Sequence, residues 1–179
     1  MATLDKPEAA ERMIVSAIAM TERGDDPLAI HVVAASALSL LRELIDKSGD
    51  PYVAQVLKLG LFTAAAARLQ GEPIPLPTTP EIDAVIDRVV AGIDAGEIAA
   101  PADLILNLTA DELRGMLGYI VRPYNFLKHA DRDPLATLDE GDLDPEGVII
   151  HALTAFSMVR PGKALPEEIK PFLIRHKLA

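Results

Sequence analysis

The chain has 179 residues, half of them apolar, no cysteine and a formal net charge of −10. That length suits one domain, and so large an apolar share builds a core without covalent staples. The missing cysteines exclude disulfides, thiolate metal sites and cysteine nucleophiles. The negative charge argues against a protein that coats nucleic acid non-specifically, because phosphate contacts need clustered Lys and Arg.

The apolar residues are mostly Ala, Leu, Ile and Val, with 3 Tyr, 4 Phe and no Trp. Ala and Leu lose little on entering a helix, so this bias favours helices over strands. The first helix is expected over residues 6–23, with Pro7 tolerated in its first turn and Ala10, Met13, Ile14, Ala17 and Ile18 at helical spacing. Gly24-Asp25-Asp26-Pro27 stops it and starts the next, Asp26 serving as N-cap and Pro27 as the first helical residue. The second helix, residues 27–47, carries the stripe Ile30, Val33, Ala34, Ala37, Leu41 and Leu44, widened by Val32, Leu38, Leu40 and Ile45. A helix apolar on most sides belongs at the centre of a fold. Gly49-Asp50-Pro51 ends it, and a third helix follows to Gln70, its Ala64–Ala67 run allowing close helix approach.

Residues 72–80, Glu-Pro-Ile-Pro-Leu-Pro-Thr-Thr-Pro, form a stiff, extended connector. They lack the basic anchor that a proline-rich docking motif would carry. Thr79-Pro80 opens a fourth helix with Ile82, Val85, Ile86, Val89, Val90 and Ile93, broken at Gly96. Residues 97–108 fit a short helix or an extended segment equally well. Thr109-Ala-Asp-Glu112 is a capping box for a helix that continues past a kink at Pro123 toward Asp133-Pro134. Asp144-Pro145 caps another, stopped by Pro161-Gly162, and Pro166 opens a short last helix disturbed by Pro171. The expectation is an all-α irregular bundle of six to eight helices in a single domain, with the second helix central. Its apolar surface exceeds what one short chain hides, which predicts a two-fold homodimer.

The N-terminal segment has charged residues before any apolar run, the wrong order for a signal peptide. The greasiest stretches, Ile30–Leu41 and Val53–Leu69, are too short or interrupted by Lys58 to span a bilayer. A cytoplasmic protein without membrane contact is the default that follows.

Charge is uneven along the chain. Residues 72–121 hold nine acidic and two basic side chains, whereas residues 122–134 hold Arg122, Lys128 and Arg132 against Asp131 and Asp133. On a helix Arg122, Asn125 and His129 fall at i, i+3 and i+7 and share a face, with Lys128 and Arg132 flanking it. An Arg, an amide and a His on one surface suit phosphodiester chemistry: the guanidinium forks onto a phosphate and the imidazole moves a proton near neutral pH. The plainer account is a helix C-terminus whose Lys, His and Arg complement its dipole, with Asn125 satisfying a backbone group and the two Asp residues neutralising their basic neighbours.

The segment from Arg122 to His129 resembles the HEPN-type signature, in which an Arg is followed four to six residues later by a His. The chain also looks like a bacterial family of uncharacterised helical proteins that pairs a Gly-Asp-Asp-Pro-x-Ala-x-His segment, here Gly24 to His31, with Asn-Phe-x-Lys-His-Ala-Asp-Arg-Asp-Pro, here Asn125 to Pro134. Tyr124 stands where the tighter form of the motif has its Arg, and Arg122 comes two residues earlier. The resemblance implies a helical, dimeric module acting on RNA, in many members as a metal-independent endoribonuclease. It implies His129 as general acid or base, Arg122 as phosphate stabiliser and Asn125 as orienting residue. Lys128, Arg132 and Tyr124 fall on the substrate side, with no metal, no cofactor and no DNA. The alternative is a non-catalytic helical module that dimerises or binds a protein partner.

The remaining histidines suggest less. His31, at the border of the apolar stripe, reads as a hydrogen-bonded or partly buried histidine, or more boldly as a neighbour of His129. For His151 and His176 the sequence alone suggests no role. Asp142-Leu-Asp-Pro-Glu-Gly147 begins like a calcium loop, but its twelfth position is Leu153 and Pro145 opens a helix inside it. Asp139, Glu140 and Asp142 read as a solvated acidic turn. No glycine-rich phosphate loop, His-Glu metalloprotease motif or nucleophile elbow is present.

Overall fold

The structure, a computed structural model, describes residues 3–47, 49, 51–74, 79–109, 111, 122–128 and 134–176. The described residues are all-α, with no strand. Six helices have defined bounds: α1 (Lys6–Arg23), α2 (Pro27–Asp46), α3 (Tyr52–Gln70), α4 (Pro80–Asp94), α5 (Pro145–Val159) and α6 (Lys170–Arg175). Residues 122–128 are helical too, making seven segments. Three short 3-10 turns stand at Pro101–Asp103, Glu140–Asp142 and Glu167–Ile169.

Local chemistry sets the starts. Asp5 accepts from the Glu8 amide at 2.8 Å while Glu8 reaches back to the Asp5 amide at 3.1 Å, a reciprocal cap that leaves fewer orphan N–H groups. Asp26 Oδ1 accepts from the amides of Leu28 and Ala29 at 2.9 and 3.1 Å, with Pro27 in the first turn. Thr79 and Asp144 cap α4 and α5 in the same way, each followed by proline. Gly24 and Gly71 close α1 and α3 at φ 70° and 71°, a backbone region that side chains with a Cβ disfavour. Pro171 stands in the first turn of α6 and opens that helix, where the sequence suggested a disturbance, because the preceding turn is 3-10 and needs no α-type bond from its nitrogen. In residues 97–108 the ambiguity resolves into the 3-10 turn at Pro101–Asp103 and then non-helical chain; Asp103 accepts from the amides of Ala99 and Ala100. Of the helix expected from the capping box at Thr109–Glu112, Asp111 and residues 122–128 are described and helical. The rest of it, Glu112 included, and the middle of the proline-rich connector fall outside the described residues.

The chain divides into two compact units, residues 1–49 with 117–179, and residues 50–116. In the first, α2 packs against both α1 and α5, and α1 also touches α5. Ile30, Ala34, Ala37, Leu38, Leu41 and Ile45 of α2 are buried, as are Ile149, Ala152, Leu153 and Phe156 of α5. Val33 and Leu44, expected in the stripe, are half-buried, and Ala35 and His31 are buried instead. Ion pairs fix the directions. Arg160 and Lys163, past the end of α5, pair with Asp5 and Glu11 at the start of α1. Arg175, at the end of α6, lies 2.8 Å from Glu22 near the end of α1 and 3.7 Å from Glu146 at the start of α5. So α1 runs opposite to both α2 and α5, and those two begin at the same end of the unit.

By length and composition alone α2, with 20 strongly apolar residues, is long and apolar enough to cross a membrane, a test that a buried core helix also passes. The helix extends beyond the run Ile30–Leu41 that the sequence marked as too short. Burial of one side between α1 and α5 supplies a second reason for that hydropathy.

The second unit is built on α3 and α4. Ala64, Ala65, Ile86, Val89 and Leu104 form its core, lined by Leu61, Phe62, Ile74, Val90, Ile93 and Ile98. The alanines let α4 approach α3 closely. Arg68 of α3 reaches across to both Asp83 and Asp87 of α4.

Candidate functional site

Arg122, Tyr124, Asn125 and Lys128 lie on the helical stretch 122–128. Pro123 is fully buried and ties the stretch to the protein, while Arg122, Asn125 and Lys128 are exposed. The helical spacing that puts residues 122 and 125 on one face is therefore matched by their shared exposure. Tyr124 is half-buried, and the Lys128 ammonium stands 5.6 Å from the centre of its ring, a cation–π contact that orders a flexible side chain.

Asp142 enters this face from a part of the sequence that offered no hint of it. Arg122 Nη1 lies 3.2 Å from Asp142 Oδ2. The acidic turn is thus only partly solvated: Asp139 accepts from the Gly141 amide at 2.9 Å and shapes the 3-10 turn at Glu140–Asp142, which carries Asp142 to the guanidinium. No spacing rule connects residues 122 and 142, so only the opposite charges could have suggested the pair. At 63% side-chain exposure Arg122 keeps most of its donors open to solvent, and a guanidinium has more donors than one carboxylate oxygen uses. His129 and Arg132, the proposed proton-transfer residue and a flanking cation, lie outside the described residues.

The histidines at the common start of α2 and α5 differ from expectation. His31 is 1% exposed, and neither ring nitrogen has a hydrogen-bond partner among the described residues. The hydrogen-bonded histidine that the sequence favoured is not what the fold contains: α2 turns this side chain into the core, where helix backbone groups are already paired. Burial pushes its pKa below the ordinary 6.5, against a smaller upward pull from the charge of Asp144. The pKa of His151, on α5, is lowered by the same two opposed causes, burial the larger. His176 has neighbours after all: its ring lies 4.4 Å from that of Phe172, tilted by 39°, and its Nε2 is 3.4 Å from Glu146 Oε2 without a hydrogen bond between them.

Among the described residues no group of three or more His, Asp or Glu side chains is placed to hold a metal ion. Asp144, second carboxylate of the supposed calcium loop, is committed to the N-cap of α5, accepting from the Gly147 amide at 2.9 Å.

No protein-family model, curated protein or solved structure matches this chain. The class that can be stated is that of an all-helical protein with seven helical segments among its described residues.

Proposed function

We propose that the chain is a HEPN-like module that acts on RNA through the face of residues 122–132, as a metal-independent endoribonuclease. The observation that carries the proposal is the joint exposure of Arg122, Asn125 and Lys128 on a stretch anchored by buried Pro123, in a chain otherwise dominated by negative charge. Arg122 holds a phosphate oxygen pair, Lys128 and Arg132 hold the flanking backbone, and Tyr124 offers a ring against which a base stacks. The 2′-hydroxyl of the RNA attacks the adjacent phosphorus, the bond to the 5′-oxygen breaks, and His129 moves the proton. The products are a 2′,3′-cyclic phosphate and a 5′-hydroxyl. Two copies related by a two-fold axis would place both faces on one cleft.

A second reading rests on Leu127, on the same stretch, and Leu135, seven residues after its end, which are 42% and 89% exposed. Apolar side chains next to a basic stretch suit a protein partner or a second copy, with no chemistry at all.

The deciding experiment incubates the purified full chain with structured and single-stranded RNA in EDTA. Cleavage to cyclic-phosphate ends is expected, slowed by about a hundredfold or more in His129→Ala, the scale of losing a general acid or base. Arg122→Ala should lose activity and Arg122→Lys should not restore it fully, since an ammonium lacks the fork. A wild-type protein inert toward a varied RNA panel would leave the partner-binding module standing.

A further inference from the structure

The buried, unpartnered imidazole of His31 stands out in the first unit. An imidazole in its neutral form carries one N–H donor and one acceptor, and water satisfies both in the unfolded chain. In the fold both are buried and unpaired among the described residues. This side chain is the first titratable group on α2, and the next, Arg42, lies three turns further along. It sits at the end where α2 and α5 begin together, in the helix that packs most extensively on α1 and α5.

We infer that His31 is a proton-operated release for the α1–α2–α5 contact: neutral, it is tolerated in the core; protonated, it drives the start of α2 out of its seat against α5.

The charged surroundings favour release over accommodation. On α1, Glu22 is engaged by Arg175, and Arg23 pairs with Asp25 in the turn before α2. Asp26 is engaged at the N-cap of α2, and Asp144, whose charge pulls His31 upward by less than burial pushes it down, is engaged at that of α5. On α5, Glu146 lies within reach of both Arg175 and His176, and His151 is a second imidazole that burial holds toward its neutral form. Arg122 and Lys128 on the stretch 122–128 are exposed cations. No carboxylate at this end, among the described residues, hydrogen-bonds His31. The N-terminal end of α2 adds a positive dipole end near the ring, again unfavourable to an imidazolium.

The sign follows from proton counting. The unfolded or released state binds the proton at the ordinary value of 6.5, and the closed state binds it only at lower pH, because burial opposes the charge. Closure is therefore complete above that value and weakens as pH falls below it. Each such group changes the opening equilibrium by up to about tenfold per pH unit.

Amide exchange of the intact chain, corrected for the pH dependence of chemical exchange, reads the opening of α2 and α5 between about pH 7.5 and about pH 5.5. Opening should rise as pH falls, and in both His31→Gln and His31→Leu its slope should drop by about tenfold per pH unit. His31→Leu should also be the more stable at every pH, since it removes an unpaired polar group from the core. Equal slopes in wild type and variants would overturn the proposal. So would an imidazole titration by NMR that puts His31 of the wild-type protein at or above 6.5, a readout that stands even if neither variant folds.

Discussion

Single residues here show how a local rule yields to its surroundings. Gly92 is a buried residue inside α4, where Ala would ordinarily be better by about 1 kcal/mol. A Cβ at that position would lie 2.5 Å from Ile98 Cδ1 and 3.0 Å from its Cγ1. Ile98 cannot simply swing away: it is β-branched, packs on the core of the second unit, and its amide donates to the Gly92 carbonyl at 3.1 Å. Gly92→Ala should therefore destabilise despite the better helix propensity, by about 1 kcal/mol net, since overpacking of this kind costs about 1–3 kcal/mol. A lower urea midpoint with an unchanged slope would bear this out, and a raised midpoint would show that Ile98 repacks freely. Gly92 could not have been singled out from sequence, because its close neighbour lies beyond the end of its own helix. The same is true of His31 and Asp142. A histidine on the border of an apolar stripe gives no sign of whether its nitrogens find partners, and a carboxylate twenty residues from an arginine has no spacing that announces the pair.

At the scale of elements the sequence was far more legible, because helix ends are written in short-range chemistry. Asp26-Pro27, Thr79-Pro80 and Asp144-Pro145 each mark an N-cap followed by a residue with preset φ, and all three open helices as expected. The exceptions involve 3-10 turns, at Pro101–Asp103 and before Pro171, where the hydrogen-bond step changes and apolar periodicity gives no guidance. The spacing of α4 puts Ile82 and Ile86 on one apolar face, but only Ile86 is fully buried. Ile82, one turn earlier, is 37% exposed, because the first turn of the helix reaches past its neighbours. Ile86→Ala should cost about 2–5 kcal/mol, through lost transfer energy and a cavity against Ala64, Ala65 and Leu104, none of which is long enough to fill it. Ile82→Ala should stay within about 0.5 kcal/mol. Paired denaturation curves followed by amide exchange of α3 and α4 measure both, and equal losses would mean that Ile82 is as enclosed as Ile86.

For the whole molecule, the balance between overall and local charge decides how any RNA would be held. The chain carries −10 in total, so its long-range field repels a polyanion and slows encounter. Attraction begins only at short range, where Arg122 and Lys128 stand exposed, with Arg132 completing the basic set of the sequence. If these three cations each neutralise one phosphate, counterion release predicts a log–log dependence of affinity on salt with a slope of about −2 for single-stranded RNA, at roughly 0.7 per contact. Lys128→Ala should reduce that slope to about −1.4. Asp142→Asn should strengthen binding slightly, because it frees the Arg122 donor that now faces a carboxylate. Fluorescence anisotropy with a short labelled oligonucleotide, from about 20 to about 200 mM salt, tests the set, a range over which three contacts change affinity by about a hundredfold. A steep slope of about −5 or beyond would mean that cations elsewhere in the chain do the binding. A slope near zero, or no binding at the lowest salt, would detach the 122–132 face from nucleic acid altogether and leave the exposed Leu127 and Leu135 as its more informative residues.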